Sequence, residues 1–324
     1  APWPAPPTRH SASLDDSSPP LTRRVSDRWT PPPVDMAEQP CRYLNVIIHT
    51  VDNPCGQGVG TRHQVRPQDS CGAGRPVPHT GRMNETIQTL LAHRSVRQFT
   101  DEPVQPDTVE TLIRCAQAAA SSSLYQAYTF IQVVDPDQRR ALYEASGNQP
   151  WVLQAPLLLL CCADMHRAQG NFDVDDKVFG YVEQYTIAVI DAALAAQNLM
   201  VAAESLGLGG CFIGGIRNDP DRVIEAFDLP RLTFPVFGLC LRHPPCRNDP
   251  KPRLPLPVVL KQDRYDESVD ENLIANYDQE TREYYRARTD GKETDSWAER
   301  CGQSLAAKSR PHVGVAVRRQ GFLA

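Results

Sequence analysis

From about Tyr181 to Leu206 the chain reads as one helix of roughly seven turns. It is apolar on nearly every side, with Val182, Ile187, Val189, Ile190, Leu194, Leu199 and Met200 spread among many alanines. A surface helix carries a single apolar stripe, whereas one that is apolar all round has to be enclosed by other parts of the fold. Polar side chains interrupt the run before it reaches the ~18 to 20 uninterrupted apolar residues of a bilayer-crossing helix, so the expectation is a soluble protein built around a central helix. With 324 residues, 41% of them hydrophobic, the chain can bury such a helix in a large core.

The surrounding pattern alternates helices with few strands. Residues 84–92 read as a short helix, and Pro106 opens another whose Val109, Leu112, Ile113 and Ala116 recur at helical spacing. Residues 118–123 end it. Strands are expected at 130–134, at 156–162 with both faces buried, near Cys211 and at 234–241. Further helices are expected at 136–145, 220–227, 271–277, 280–288 and 297–309. There is no internal repeat and no room for a full doubly wound sheet, so the class is α+β.

The first 82 residues differ from the rest: they hold 14 of the 29 prolines, nine Arg and no Lys. They are expected to be a disordered extension before a single domain at 83–324. Met83 stands where the periodic pattern begins, which suggests a natural start there; seven acidic residues in the extension argue against a transit peptide. A net charge of −5 makes nucleic acid an unlikely partner. Cys115, Cys161, Cys162, Cys211 and Cys240 sit inside apolar runs and read as reduced core residues of a cytoplasmic protein. No metal site is expected, because neither Cys161, Cys162, Asp164 and His166 nor Cys240, His243 and Cys246 has two well-spaced ligand pairs.

Three segments carry chemistry. His93-Arg94-Ser95-Val96-Arg97 concentrates donors suited to a phosphate, and a helical turn would place Arg94 and Arg97, three apart, on one face. Gly207-Leu208-Gly209-Gly210-Cys211-Phe212-Ile213-Gly214-Gly215 encloses a short strand between glycine pairs, which let backbone N–H groups approach a flat ligand. It lacks the dinucleotide fingerprint, since Phe212 stands where a glycine would be required. Lys251-Pro252-Arg253 holds two cations on a stiff hinge. Together the three could surround one phosphorylated, planar molecule.

Read in order with Phe99-Thr100-Asp101-Glu102-Pro103, Ser121-Ser122-Ser123, Gly147-Asn148-Gln149, Ala196-Gln197-Asn198, Ala202-Ala203-Glu204-Ser205, Phe237-Gly238-Leu239-Cys240 and Glu283-Tyr284-Tyr285, these segments resemble the NADPH-dependent, oxygen-insensitive nitroreductases. Their relatives, the NADPH–flavin oxidoreductases of luminous bacteria, share the pattern. The resemblance runs from about Glu85 to Phe322. It implies a nitroreductase-like sandwich: a central mixed or antiparallel sheet flanked by helices, the long helix at a homodimer interface, and a helical C-terminal excursion.

The resemblance further implies noncovalent FMN in two sites at the subunit boundary. His93, Arg94, Ser95, Arg97, Lys251 and Arg253 would supply the positive field for its phosphate and reduced ring. Ser121 and Ser122, with Ser123, would bond phosphate or ribityl oxygens, and Gln149 the pyrimidine edge. Ile213, Gly214 and Gly215 would lie along the ring with a backbone N–H toward N5. The implied reaction is ping-pong: NADPH gives hydride to FMN and leaves, and a nitroaromatic, a quinone or free flavin takes its place. No histidine base is needed. The alternative is a flavin reductase supplying reduced FMN to a partner monooxygenase, and a rival of another class is a flavin carrier without turnover. Arg288 would face the 2′-phosphate of NADPH. Where relatives carry an Arg pair before the Trp, this chain has Lys292-Glu293-Thr294-Asp295-Ser296-Trp297, which weakens one expected contact.

Overall fold

The computed structural model describes residues 84–98, 100, 102–244 and 249–323. The chain separates into Ala1–Arg75 and Pro76–Ala324, and every described residue lies in the second unit. The expectations for residues 1–82 and for Met83 fall outside the described residues.

Four strands, β1 (Tyr128–Gln132), β2 (Leu157–Asp164), β3 (Gly209–Ile213) and β4 (Thr233–Arg242), form one sheet in the order β1-β2-β4-β3. All three pairings are antiparallel; a parallel contact occurs as the isolated bridge between Ser95 and Gly210. β2 is central and apolar throughout, and its alternation divides the core in two. Leu157, Leu159, Cys161 and Ala163 face one layer, while Leu158, Leu160 and Cys162 face the other. The first layer is built on α2 (Pro106–Gln117) and the long α6 (Val182–Ser205). The second is built on α3 (Pro136–Ala145), α4 (Pro150–Gln154) and α7 (Pro220–Ala226). Between them, α5 (His166–Gln169) follows β2, and α1 (Glu85–Leu91) precedes α2.

Pro235 lies inside β4, where a missing N–H should break the ladder. It is tolerated because the register slips there: Cys161 pairs with Phe237 and Cys162 with Pro235, leaving Val236 unmatched. The buried thiols of Cys161 and Cys162 are pushed well above the usual cysteine range by desolvation.

The central helix falls where expected, α6 packing one side on α2 and the sheet through Ala188, Ala192, Ala195, Ala196, Leu199, Met200 and Ala203, while Ile190 and Leu194 stay exposed on the other. By length and mean hydropathy alone α6 would also suffice to cross a membrane, which the count of uninterrupted apolar residues does not register; 44% of its most apolar window is buried within the fold. The C-terminal part comprises α8 (Leu256–Val259), α9 (Asp270–Arg288), α10 (Trp297–Ala307) and α11 (Val313–Arg319).

Some expectations are corrected. The two helices at 271–277 and 280–288 are one, because no Gly or Pro lies between them; Asp278 accepts from the Ala298 N–H and Gln279 is exposed, neither interrupting the helix. β1 starts earlier than 130 because Tyr128 and Thr129 pair with Ala163 and Cys162. β2 runs on to Asp164, past the expected end at 162. α4, α5, α8 and α11 are too short to show a period and were not expected.

Asp191 is fully buried in the middle of α6, and its carboxylate accepts from the backbone N–H groups of Ser122 and Ala127, both at 3.0 Å. Between them the chain takes left-handed backbone angles at Ser123 (φ 45°), Leu124 (φ 59°) and Gln126 (φ 51°), which L residues rarely adopt unless held. Asp191→Ala leaves both N–H groups without an acceptor and should cost about 2–4 kcal/mol of stability. Urea unfolding measures this, and an unchanged midpoint would reject the anchoring role.

Candidate functional site

The loop after α1 departs from expectation. α1 ends at Leu91, and residues 93–98 are extended rather than helical. The Val96 N–H donates to Gly210 O at 2.8 Å beside the Ser95–Gly210 bridge, so the loop is added to the edge of β3. Val96 is buried against Gly209, where an added Cβ would come within 2.8 Å of its Cγ2. Glycine at 210 is required by a still closer approach, since a Cβ there would lie 2.1 Å from Cys240 O. Arg94 and Arg97 are thus presented by a strand-like segment, and both still reach one cavity.

That cavity encloses about 270 Å³ and is lined by His93, Arg94, Ser95, Arg97, Lys251 and Arg253 together with Arg288. The expected phosphate-binding loop, the Lys251-Pro252-Arg253 hinge and the candidate NADPH residue therefore meet. The same wall contains Arg300, Tyr285 and Thr289, and two carboxylates, Asp249 and Glu293. α9 positions the hinge: the Tyr277 hydroxyl donates to Pro252 O at 3.2 Å, and the Tyr284 hydroxyl to Asp249 O at 3.3 Å. These tyrosines are seven apart, two helical turns, so the continuity of α9 is what aligns them.

Aromatic rings seat the cations. Arg97 lies 5.6 Å from the ring centre of Trp151, Lys251 5.8 Å from that of Tyr285, and Arg300 3.7 Å from the centre of the same Tyr285 ring. Arg288 donates to the Tyr284 hydroxyl at 2.7 Å. Arg300 is ion-paired with Glu293. His93 Nδ1 lies 2.7 Å from Glu204 Oε1, a contact that joins residues 111 apart in sequence.

Gln149 and the Gly214–Gly215 turn do not line this cavity; the link to it runs through Trp151, two residues after Gln149. Gln149 caps α4, whose Trp151 carries Arg97. A Cβ on Gly215 would lie 2.3 Å from Gln149 Nε2 and 2.6 Å from Ser146 O, so Gln149 is packed directly on the turn. The half-buried Arg217 guanidinium lies under Gly214 and donates to Val236 O; burial, then nearby Arg310, lowers its pKa. The Ile213 side chain is buried beside Gly238, which leaves only its backbone for a ligand.

Ser121 and Ser122 are not brought to the cavity by their own chain. They belong to the loop tied to Asp191 on α6. Sequence reasoning missed Arg300, Trp151 and Glu204. Ser296 and Glu299 form a capping box that marks the start of α10, but only the packing of α10 on α9 reveals where Arg300 lands. Among the described residues no group of three or more His, Cys, Asp or Glu could hold a metal ion, and Cys246 lies outside them.

Residues 90–241 match the model of the nitroreductase family, and residues 251–324 that of the nitroreductase family C-terminal domain. The FMN reductase (NADPH) of Bacillus subtilis is 39% identical over 246 residues, covering 74% of this chain and 99% of the relative. The oxygen-insensitive NADPH nitroreductase of Salmonella typhimurium is 39% identical over 241 residues, with 74% and 99% covered. The chain belongs to the nitroreductase family. The solved structure of NfrA1 nitroreductase from B. subtilis superposes with a TM-score of 0.71 at 39% identity, covering 74% of this chain and 99% of that one. The nitroreductase fold expected from the sequence is therefore the fold observed, and the matched region coincides with the domain that carries the cavity.

Gly215→Ala should overpack the Gln149 contact, costing about 1–3 kcal/mol. Gly302→Ala serves as a control, because Gly302 lies inside α10 with open space around it. It should stabilise by about 0.5–1 kcal/mol. Thermal melts of the two variants measure the contrast, and equal shifts would contradict the packing at Gly215.

Proposed function

We propose that this nitroreductase-family chain is an NADPH-dependent FMN oxidoreductase that reduces nitroaromatics and quinones in two-electron steps, with FMN held by the cavity and the glycine turn described above. The observation that carries this reading is the convergence of Arg94, Arg97, Lys251 and Arg253 on one cavity, whose Arg97 rests on the Trp151 that follows Gln149. The donor set fits FMN: six cationic side chains against two carboxylates suit a phosphate dianion, and the planar forks of Arg match its oxygens. Bound FMN supplies a reversible hydride acceptor at N5.

In this reading His93, Arg94, Ser95 and the 251–253 hinge bind the phosphate, and Gln149 reads the pyrimidine edge. Backbone N–H groups at Gly214 and Gly215 would be offered to the flavin. A positive field from Arg97 and Arg217 favours the negative charge that reduction puts on the flavin. Arg288 and Arg300, side by side on the cavity wall, bind the 2′-phosphate of NADPH. The guanidinium thought missing from 292–296 is thereby supplied from α10.

The reading includes a homodimer. Tyr181, Val182, Ile190 and Leu194 leave α6 with apolar surface that a single chain does not cover, at 54%, 63%, 50% and 44% exposure. Ser121 and Ser122, remote from the cavity of their own chain, would complete that of the second copy. The same reading takes the protein as soluble and cytoplasmic, in keeping with buried, reduced cysteines. Because one relative is named an FMN reductase, free flavin is a second candidate oxidant, and turnover with nitrofurazone, a quinone and FMN compared side by side distinguishes the roles.

Purified protein should show oxidised-flavin absorption that anaerobic NADPH bleaches. A yellow protein that NADPH leaves unchanged would reduce the reading to flavin binding alone. Arg288→Ala should raise KM for NADPH about tenfold with little effect on NADH, the loss of one charge-assisted contact to phosphate. Equal changes for both nucleotides would reject the 2′-phosphate assignment.

A further inference from the structure

Glu204 is a carboxylate in an unfavourable place. It lies in the last turn of α6, where the helix dipole disfavours negative charge, and its side chain is only 12% exposed. An acid retained there needs a compensating partner. Among the described residues that partner is His93, whose Nδ1 lies 2.7 Å from Glu204 Oε1. The geometry has a direct consequence for the imidazole. A carboxylate only accepts, so Nδ1 carries a hydrogen and donates it. Nε2 is then the ring nitrogen left for the cavity that His93 lines.

We propose that Glu204 is a positioning residue for phosphate recognition: it fixes the rotamer and the Nδ1–H form of His93 so that Nε2 is presented to the FMN phosphate. This rests on the flavin site proposed above and deepens it. The arrangement belongs to a wider anchoring of the loop, since Val96 N–H bonds to Gly210 two residues past the end of the α6–β3 connection. That backbone bond sets the path of residues 94–97. It leaves the His93 ring free to rotate, and Glu204 removes that freedom. A ligand group bound by a preoriented donor keeps the affinity that immobilising the side chain would otherwise cost.

The test uses two flavins that differ in one group, FMN and riboflavin, the latter lacking the phosphate. Dissociation constants for both are measured with the wild-type apoprotein and with Glu204→Gln, Glu204→Ala, His93→Ala and the His93→Ala/Glu204→Ala double variant. Glu204→Ala should weaken FMN binding about tenfold or more and leave riboflavin within about twofold, as expected when a charge-assisted contact is lost at the phosphate alone. Glu204→Gln, which keeps an acceptor for Nδ1–H, should recover most of the loss. The double variant should bind FMN no worse than His93→Ala, because Glu204 acts through the imidazole.

Equal weakening of FMN and riboflavin would overturn the proposal and make Glu204 a purely structural residue. So would unchanged FMN affinity in Glu204→Ala, or additive losses in the double variant. If Glu204→Ala does not fold, Glu204→Gln against His93→Ala decides: a Gln variant as impaired toward FMN as His93→Ala, with riboflavin equally weakened, overturns the role. A wild-type protein that binds neither flavin overturns the flavin site itself, an outcome separate from any difference among the variants.

Discussion

Six cationic side chains around one cavity repel one another, and the site exists because the fold opposes that repulsion residue by residue. Five of the six are given a local partner. Arg97 is seated on Trp151, Lys251 and Arg300 on Tyr285, and Arg288 on Tyr284, while Arg253 donates back to the carbonyls of Lys251 and Pro252. An aromatic face attracts a cation without neutralising it, so the positive field survives for an anionic ligand. Among the described residues, Arg300 is the one of these cations that ion-pairs with a carboxylate, Glu293. A cavity neutralised by carboxylates throughout would be more stable and would bind no phosphate.

The backbone beneath these side chains is held by bonds between distant segments. The Val96–Gly210 bond attaches the 93–98 loop to β3, and the tyrosine hydroxyls of α9 attach the 249–253 hinge. β3 is itself attached to β4 and, through it, to β2, the strand buried on both faces. The cavity therefore inherits its rigidity from the same sheet that α6 covers. Layering also explains a division of residues: the face toward α6 is filled by alanine, aliphatic and aromatic side chains such as Phe234 and Phe322, and the opposite face carries α4, whose Trp151 seats Arg97.

How much of this was legible in the sequence follows from the range of the forces involved. The enclosed helix, the doubly buried β2 and α3 were visible because their signal is local periodicity. The cation-rich segments were visible because Arg, His and Ser at short spacing are a local feature of the sequence, and their order with the glycine segment gave them a shared reading. Placement was less legible. The expectation that Arg94 and Arg97 share a helical turn failed because a tertiary bond to Gly210, more than a hundred residues away, draws the loop into extended form. α9 was divided in two because polarity at Asp278-Gln279 looked like a break, although nothing in the backbone chemistry there opposes a helix. Ser121 and Ser122 were grouped with the other ligands by resemblance, and no local pattern reveals that their loop is tied to Asp191 of α6 and does not line the cavity.

Arg300 shows how a local departure can be offset from elsewhere. At 292–296 the chain has Glu293 and no arginine, which by itself argues for a weaker anion site. Yet the capping box of Ser296 and Glu299 starts α10 immediately afterwards, and its first turn carries Arg300 back against Tyr285 in the same cavity. Glu293 then becomes the partner of that guanidinium. A ligand phosphate entering here competes with a carboxylate that is 49% exposed, and the exposed member of such a pair contributes little, because water and salt screen it. The dianion brings more charge and a better match to a guanidinium fork than the carboxylate it displaces. In the proposed reading the pair would hold Arg300 in position and yield it at small cost to a phosphate.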